Sequence, residues 1–176
     1  MRRQGICFRA HNPMWAWAPT SGYGAAIRGA RFNPPGASAL YLALTMEGMF
    51  LEMGHGFGHF FDPLTICSYT VDCEDIVDLR TDIDRSAASV DLDDMRCAWA
   101  SDVASGRRPA SWGVADTLMK AGATGILVPS FVMGARPDMA NLVLWTYGPD
   151  LPHRVTVHDP SGVLPQDRSS WRTRSV

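Results

Sequence analysis

LYLALTMEGMFLEM, residues 40–53, decides the reading of this chain. Leu40-Tyr41-Leu42-Ala43-Leu44 is almost wholly apolar over the length of a short strand, which predicts a central strand. Thr45 then offers a side-chain oxygen in the position of a helix N-cap. Met46, Met49, Phe50 and Met53 recur at helical spacing, so a helix is predicted over 46–53. Glu52 sits at the edge of that apolar stripe, close to the core but not in its centre. A carboxylate there is costly to bury alone, so it either points to solvent or faces a cleft. Gly54, Gly56 and Gly58 end the helix.

On the N-terminal side, Ile6 to Ala10 reads as a first strand closed by Asn12-Pro13. A glycine turn follows at Gly22 and Gly24. Next come Arg31, with no acidic residue in the ten positions before it, and the turn Pro34-Pro35-Gly36. On the C-terminal side, Thr65 to Val71 and Ile76 to Leu79 read as strands, joined through a polar connection (Arg80 to Ser89) to a helix over Asp91 to Ala104. That helix carries Leu92, Met95, Trp99 and Val103 on one face, with Trp99 read as core, as is Met119. A second helix over Gly113 to Ala121 stops at Gly122. Strands follow at Gly125 to Val128, Leu142 to Tyr147 and Arg154 to His158. Strands outnumber helices and do not alternate regularly with them, which predicts an α+β domain. No G-x-G-x-x-G step follows a strand, which argues against a doubly wound dinucleotide fold. The expected organisation is one domain over 1–165 with a polar tail at 166–176.

At 176 residues with 46% hydrophobic composition, the chain has enough apolar mass for one full core. The net charge is −2 and the basic residues, all arginine except Lys120, are spread out. Nucleic acid is therefore not the expected ligand. Cys7, Cys67, Cys73 and Cys97 contain no C-x-x-C pair and read as buried thiols of a reducing compartment. The longest apolar stretch, Ala121 to Ala135, is too short to span a bilayer, and Arg9 and His11 interrupt any signal-like region. A soluble cytoplasmic protein is the expectation. The acidic stretch Asp72 to Asp84 reads as a solvated face.

Three residues could carry chemistry. An arginine fork such as Arg31 suits the oxygens of a pyrophosphate; it also fits a surface charge. Tyr41 could stack on a flat base while its hydroxyl finds a polar partner; it also fits a core tyrosine. Glu52, in a cleft, could stabilise a sugar oxocarbenium ion. O-glycosidases need a second carboxyl to protonate the leaving oxygen. The nicotinamide of NAD is already a cationic pyridinium and departs without a proton, so one arginine, one aromatic and one carboxylate suffice to cleave it. A rival reading takes Glu52, His55 and His59 as a metal set, against which Gly54, Gly56 and Gly58 interrupt the helix. A non-enzymatic interaction module, built on six Trp and nine Met, is the third class.

An ordered set of short motifs runs from Arg9 to Asn141. Its parts are Arg9, Ser21-Gly22-Tyr23-Gly24-Ala25, Gly29-Ala30-Arg31-Phe32, Tyr41-Leu42-Ala43, Glu52, Asp78-Leu79, Val128-Pro129-Ser130 and Asn141-Leu142. In this order the chain resembles the RES-domain toxins of bacterial RES–Xre toxin–antitoxin pairs, named for an arginine, a glutamate and a serine. Phe32 stands where that family usually has Trp, and the helix before Glu52 is richer in Met. The resemblance implies an ADP-ribosyltransferase-like fold, a split pair of sheets with flanking helices around an NAD cleft. It implies a toxin that consumes NAD as substrate, without a metal. Glu52, Arg31 and Tyr41 would be catalytic, and Arg9, Arg31, Tyr41, Ser130 and Asn141 would contact NAD. ADP-ribose would pass to a host protein, with NAD hydrolysis or phosphorolysis as the alternative. An Xre-type antitoxin would cover the active site, and neither nucleic acid nor membrane would be a direct partner.

Overall fold

The computed structural model describes residues 1–54 and 63–169. Seven strands form one mixed sheet: β1 (Arg3–His11), β2 (Leu40–Ala43), β3 (Thr65–Cys73), β4 (Ile76–Asp78), β5 (Gly125–Pro129), β6 (Ala140–Leu144) and β7 (His153–Val157). Their order is β4-β5-β6-β2-β1-β3-β7, so the apolar 40–44 segment does become the central strand. β1 pairs β3 along its full length, from Arg3↔Cys73 to His11↔Thr65, and β2 pairs β6 from Leu40↔Leu144 to Ala43↔Asn141. β1 and β2 meet only at Phe8↔Ala43. The sheet thus consists of two halves, β4-β5-β6-β2 and β1-β3-β7, joined through that one residue pair.

Period-two alternation sorts the strands onto two faces. Leu40, Leu42, Leu142 and Leu144 join Cys7, Tyr69 and Val71 in one core. Ile126, Val128 and Val143 point the other way, onto Val114, Ala115 and Leu118 of helix α6 (Ala110–Lys120), with Tyr41 and Trp145 at the margin. Each large apolar side chain buried in this way contributes about 1.5–3 kcal/mol. No helix among the described residues is long and apolar enough to cross a membrane.

The remaining helices are α1 (Tyr23–Arg28), α2 (Met46–Met53), α3 (Asp82–Ala87), α4 (Leu92–Met95) and α5 (Trp99–Ala104). α2 has the expected bounds, and Thr45 Oγ1 caps it by accepting from Gly48 N at 3.0 Å. Three expectations need correction. The glycines at 22 and 24 do not make a simple turn: Gly22 sits at the N-cap of α1 and Gly24 lies within it. The polar connection from Arg80 to Ser89 contains α3, capped by Thr81, whose side chain accepts from Asp84 N. The helix read over Asp91 to Ala104 is broken into α4 and α5, and at the break the carbonyls of Met95 and Cys97 accept from the side chain of Arg31.

Asp72 also departs from the solvated-face reading. It is 6% exposed and takes a bidentate contact from Arg2 (2.7 and 2.9 Å), with Arg154 at 3.5 Å. The hydrogen bonds from Arg2 hold its pKa down to about 2. The cysteines are free, with Cys7, Cys67 and Cys73 buried and Cys97 half-buried.

Candidate active site

α2 packs against β1 and β2, where the two halves of the sheet join. Gly48 permits the close approach: a Cβ there would lie 2.9 Å from Thr45 Oγ1 and 3.4 Å from Met139 Cβ. Met139 directly precedes β6. The result is that Glu52, in the last turn of α2, reaches Asn141 on β6 and Ser130, the residue after β5.

Ser130 Oγ donates to Glu52 Oε1 at 2.6 Å, and Asn141 Nδ2 donates to the same oxygen at 2.6 Å. Hydrogen bonds to an ionised acceptor are short and strong. Two donors on one oxygen fix the carboxylate and leave Oε2 with no hydrogen-bond partner among the described residues. Glu52 therefore faces a cleft rather than open solvent.

That cleft has two chambers that share Tyr41, Glu52 and Asn141. The first, about 200 Å³, is closed by Phe8, Arg9, Met49 and Met53. The second, about 440 Å³, is bounded by Arg31, Trp99, Val128 and Phe131. Together they approach the size of pockets that hold cofactor-sized ligands, roughly 300–1,000 Å³. Glu52 is the one carboxylate that lines either chamber among the described residues.

Arg31 stands in the second chamber with no ion-pair partner among the described residues. Its NH1 donates to Met95 O (3.1 Å) and Cys97 O (2.8 Å), and the guanidinium lies 4.8 Å from the centre of the Phe131 ring. Burial lowers its pKa from the ordinary value, with Cys97, Glu52 and Tyr41 opposing; arginine stays charged throughout. Gly29 starts the segment that presents it. With φ +75° and a would-be Cβ 2.9 Å from Pro35 Cδ, that position admits only glycine without strain.

Tyr41 turns its ring toward both chambers and commits its hydroxyl elsewhere. The hydroxyl donates to Asn33 Oδ1 at 2.7 Å and accepts from Phe32 N at 3.0 Å. Burial pushes its pKa up, so it is a neutral phenol and offers the cleft a ring face rather than a proton. Arg9, on β1 and at the edge of the first chamber, donates NH1 to Pro19 O (3.1 Å) and Ser21 O (2.9 Å), which ties the segment before α1 to β1.

The structure thus gathers Arg9, Arg31, Tyr41, Glu52, Ser130 and Asn141 around one cleft. The sequence reading missed Phe131 and misplaced Trp99, taken as core but half-buried in the second chamber. Phe131 had a signal: an aromatic directly after the Val128-Pro129-Ser130 step. His55 and His59 of the rival metal set lie outside the described residues. Among the described residues no group of three His, Cys, Asp or Glu side chains is gathered as for a metal ion.

The family model of the RES domain matches residues 6–167. No curated protein matches the chain. Among solved structures, the chain is similar to one in the crystal structure of the M. tuberculosis MbcT–MbcA toxin–antitoxin complex. The TM-score is 0.61 at 21% identity, over 90% of this chain and 84% of the other. At that identity the likeness shows the fold, an α+β domain with a seven-stranded sheet and flanking helices. The motif order from Arg9 to Asn141, its convergence on one cleft and the match over nearly the whole length lead to one conclusion: this chain belongs to the RES domain family.

Proposed function

We propose that this protein is a toxin that cleaves the nicotinamide–ribose bond of NAD and passes ADP-ribose to a host protein. One observation carries the reading: a single carboxylate, Glu52, held by Ser130 and Asn141 between two chambers. As the bond breaks, positive charge develops on the ribose while nicotinamide leaves neutral. The fixed Glu52 carboxylate stabilises that cation without a second acid. An opposite charge at about 4 Å and an effective dielectric near 20 is worth roughly 4 kcal/mol, on the order of a thousandfold in rate. Arg31 takes the pyrophosphate, and the Tyr41 ring stacks on a base. Among the described residues no second carboxylate lines the chambers to activate water, which favours an acceptor brought by a protein.

A second reading has a small anion such as phosphate as acceptor, or water, so that the protein depletes NAD. Arg9 favours it: an arginine that lines the first chamber together with Glu52 and has no ion-pair partner among the described residues. In either case an Xre-type antitoxin covering the cleft is the proposed partner, consistent with the toxin–antitoxin complex among similar folds. Incubation with NAD and assay of free nicotinamide tests the cleavage. Repeating it with phosphate, or with labelled NAD and cell extract, assigns the acceptor. A discrete labelled protein supports transfer; label found only as free ADP-ribose or its phosphate supports the second reading; no nicotinamide release overturns both.

A further inference from the structure

Residues 30–33 run through the interior without a strand or helix to pair their backbone; the segment holds only an isolated bridge, Ala30↔Asn33. Buried carbonyls in such a segment need partners. Here three successive ones each receive a side-chain donor from a remote element. Trp112 Nε1 donates to Ala30 O at 2.8 Å, Ser111 Oγ to Arg31 O at 2.5 Å, and Trp145 Nε1 to Phe32 O at 3.0 Å. The Phe32 N–H is taken by the Tyr41 hydroxyl. Ser111 and Phe32 are 0% and 1% exposed, so water does not compete.

The far end of Arg31 is held as well, by Met95 O and Cys97 O. The two anchors are joined: Cys97 Sγ donates to Ser111 Oγ at 3.5 Å, and Ser111 Oγ donates to the backbone of Arg31. The clamp therefore closes from the backbone of Arg31, through the first turn of α6, to the carbonyl that receives its guanidinium. It is centred on Arg31, which lines the second chamber with no ion-pair partner among the described residues.

We infer that Ser111, Trp112 and Trp145 are positioning residues for Arg31, which fix its guanidinium in the second chamber before the diphosphate of a dinucleotide arrives. The inference rests on the proposed NAD reading. A guanidinium already held in place loses less freedom on binding, so the clamp acts on affinity. Losing one donor is expected to raise the KM for NAD roughly fivefold to tenfold and to leave kcat within about twofold.

The test is a double-mutant cycle. Trp145→Phe and Ser111→Ala are each made alone and with Arg31→Lys, with folding checked by thermal melt. If they act through Arg31, each raises KM in the wild-type background and changes it less than about twofold in the Arg31→Lys background. An equal increase in both backgrounds overturns the inference, since a loosened fold does not depend on Arg31. A second readout needs no substrate. The side-chain N–H signals of Arg31 in a ¹⁵N–¹H spectrum, assigned by their loss in Arg31→Lys, are expected to be distinct in the wild type and averaged toward those of exposed arginines in both variants. Signals unchanged in both variants overturn the inference even if the wild type proves not to use NAD; absence of nicotinamide release with averaged signals refutes only the NAD reading.

Discussion

Asn141 Nδ2 lies 2.6 Å from Glu52 Oε1, joining the last turn of α2 to the start of β6, the strand beside β2. Ser130 donates to the same oxygen. Each bond to a charged acceptor is worth roughly 1.5–3 kcal/mol. Ser130→Ala and Asn141→Ala are therefore each expected to slow nicotinamide release by about tenfold or more. The double variant should fall short of the product of the singles, because both act on one oxygen. Steady-state rates of the three variants check this; fully multiplicative losses would show that the two donors act separately.

Tyr41 separates ring from hydroxyl. Tyr41→Phe keeps the ring between the chambers but leaves Asn33 Oδ1 and Phe32 N unpaired, both on residues no more than 1% exposed. The expected cost is about 1–3 kcal/mol of stability, with turnover at permissive temperature near wild type. Tyr41→Ala should lose both. Chemical denaturation beside nicotinamide assay distinguishes them, and a Tyr41→Phe protein that is stable but inactive would place the hydroxyl in the chemistry.

Arg31→Lys keeps the charge but cannot reach two carbonyls and a diphosphate with one planar fork. Binding of NAD, measured by calorimetry in the Glu52→Gln background, is expected to weaken by roughly tenfold. Full affinity would mean that Arg31 only balances charge.

Stability should also depend on pH through His11. Desolvation, with Arg9 adding to it, lowers the His11 pKa from 6.5 to about 4. As pH falls below 6.5 the unfolded chain takes up a proton that the folded chain refuses, so stability falls until about pH 4 and the term is constant below. The Asp72 contribution is lost lower, between 3.8 and about 2. In His11→Gln the melting temperature should be flatter between pH 6.5 and 4; an unchanged slope would assign the loss to other groups.

The strand–cap–helix at 40–53 was legible because each part has a local cause: the short apolar run of β2, the Thr45 hydroxyl and the apolar stripe of α2. The placement of Glu52, Ser130 and Asn141 was legible only through motif order, since 78 and 89 residues separate the bonded pairs. The break between α4 and α5 had no local signal. It exists where the carbonyls of Met95 and Cys97 serve Arg31, more than sixty residues earlier in the chain. The six-residue α3 is too short to show a helical period. Ser111, Trp112 and Trp145 were silent for a related reason: a side chain that donates to a distant backbone carbonyl has no characteristic spacing.

Glu52→Gln separates charge from shape at the cleft, because it keeps the shape of the side chain and removes its charge. Nicotinamide release from NAD is measured for this variant, for the wild type and for Glu47→Gln, whose side chain is exposed on the same helix. The expected result is a fall of about two orders of magnitude or more for Glu52→Gln, with Glu47→Gln close to wild type. Nicotinamide release by Glu52→Gln at the wild-type rate would contradict the account.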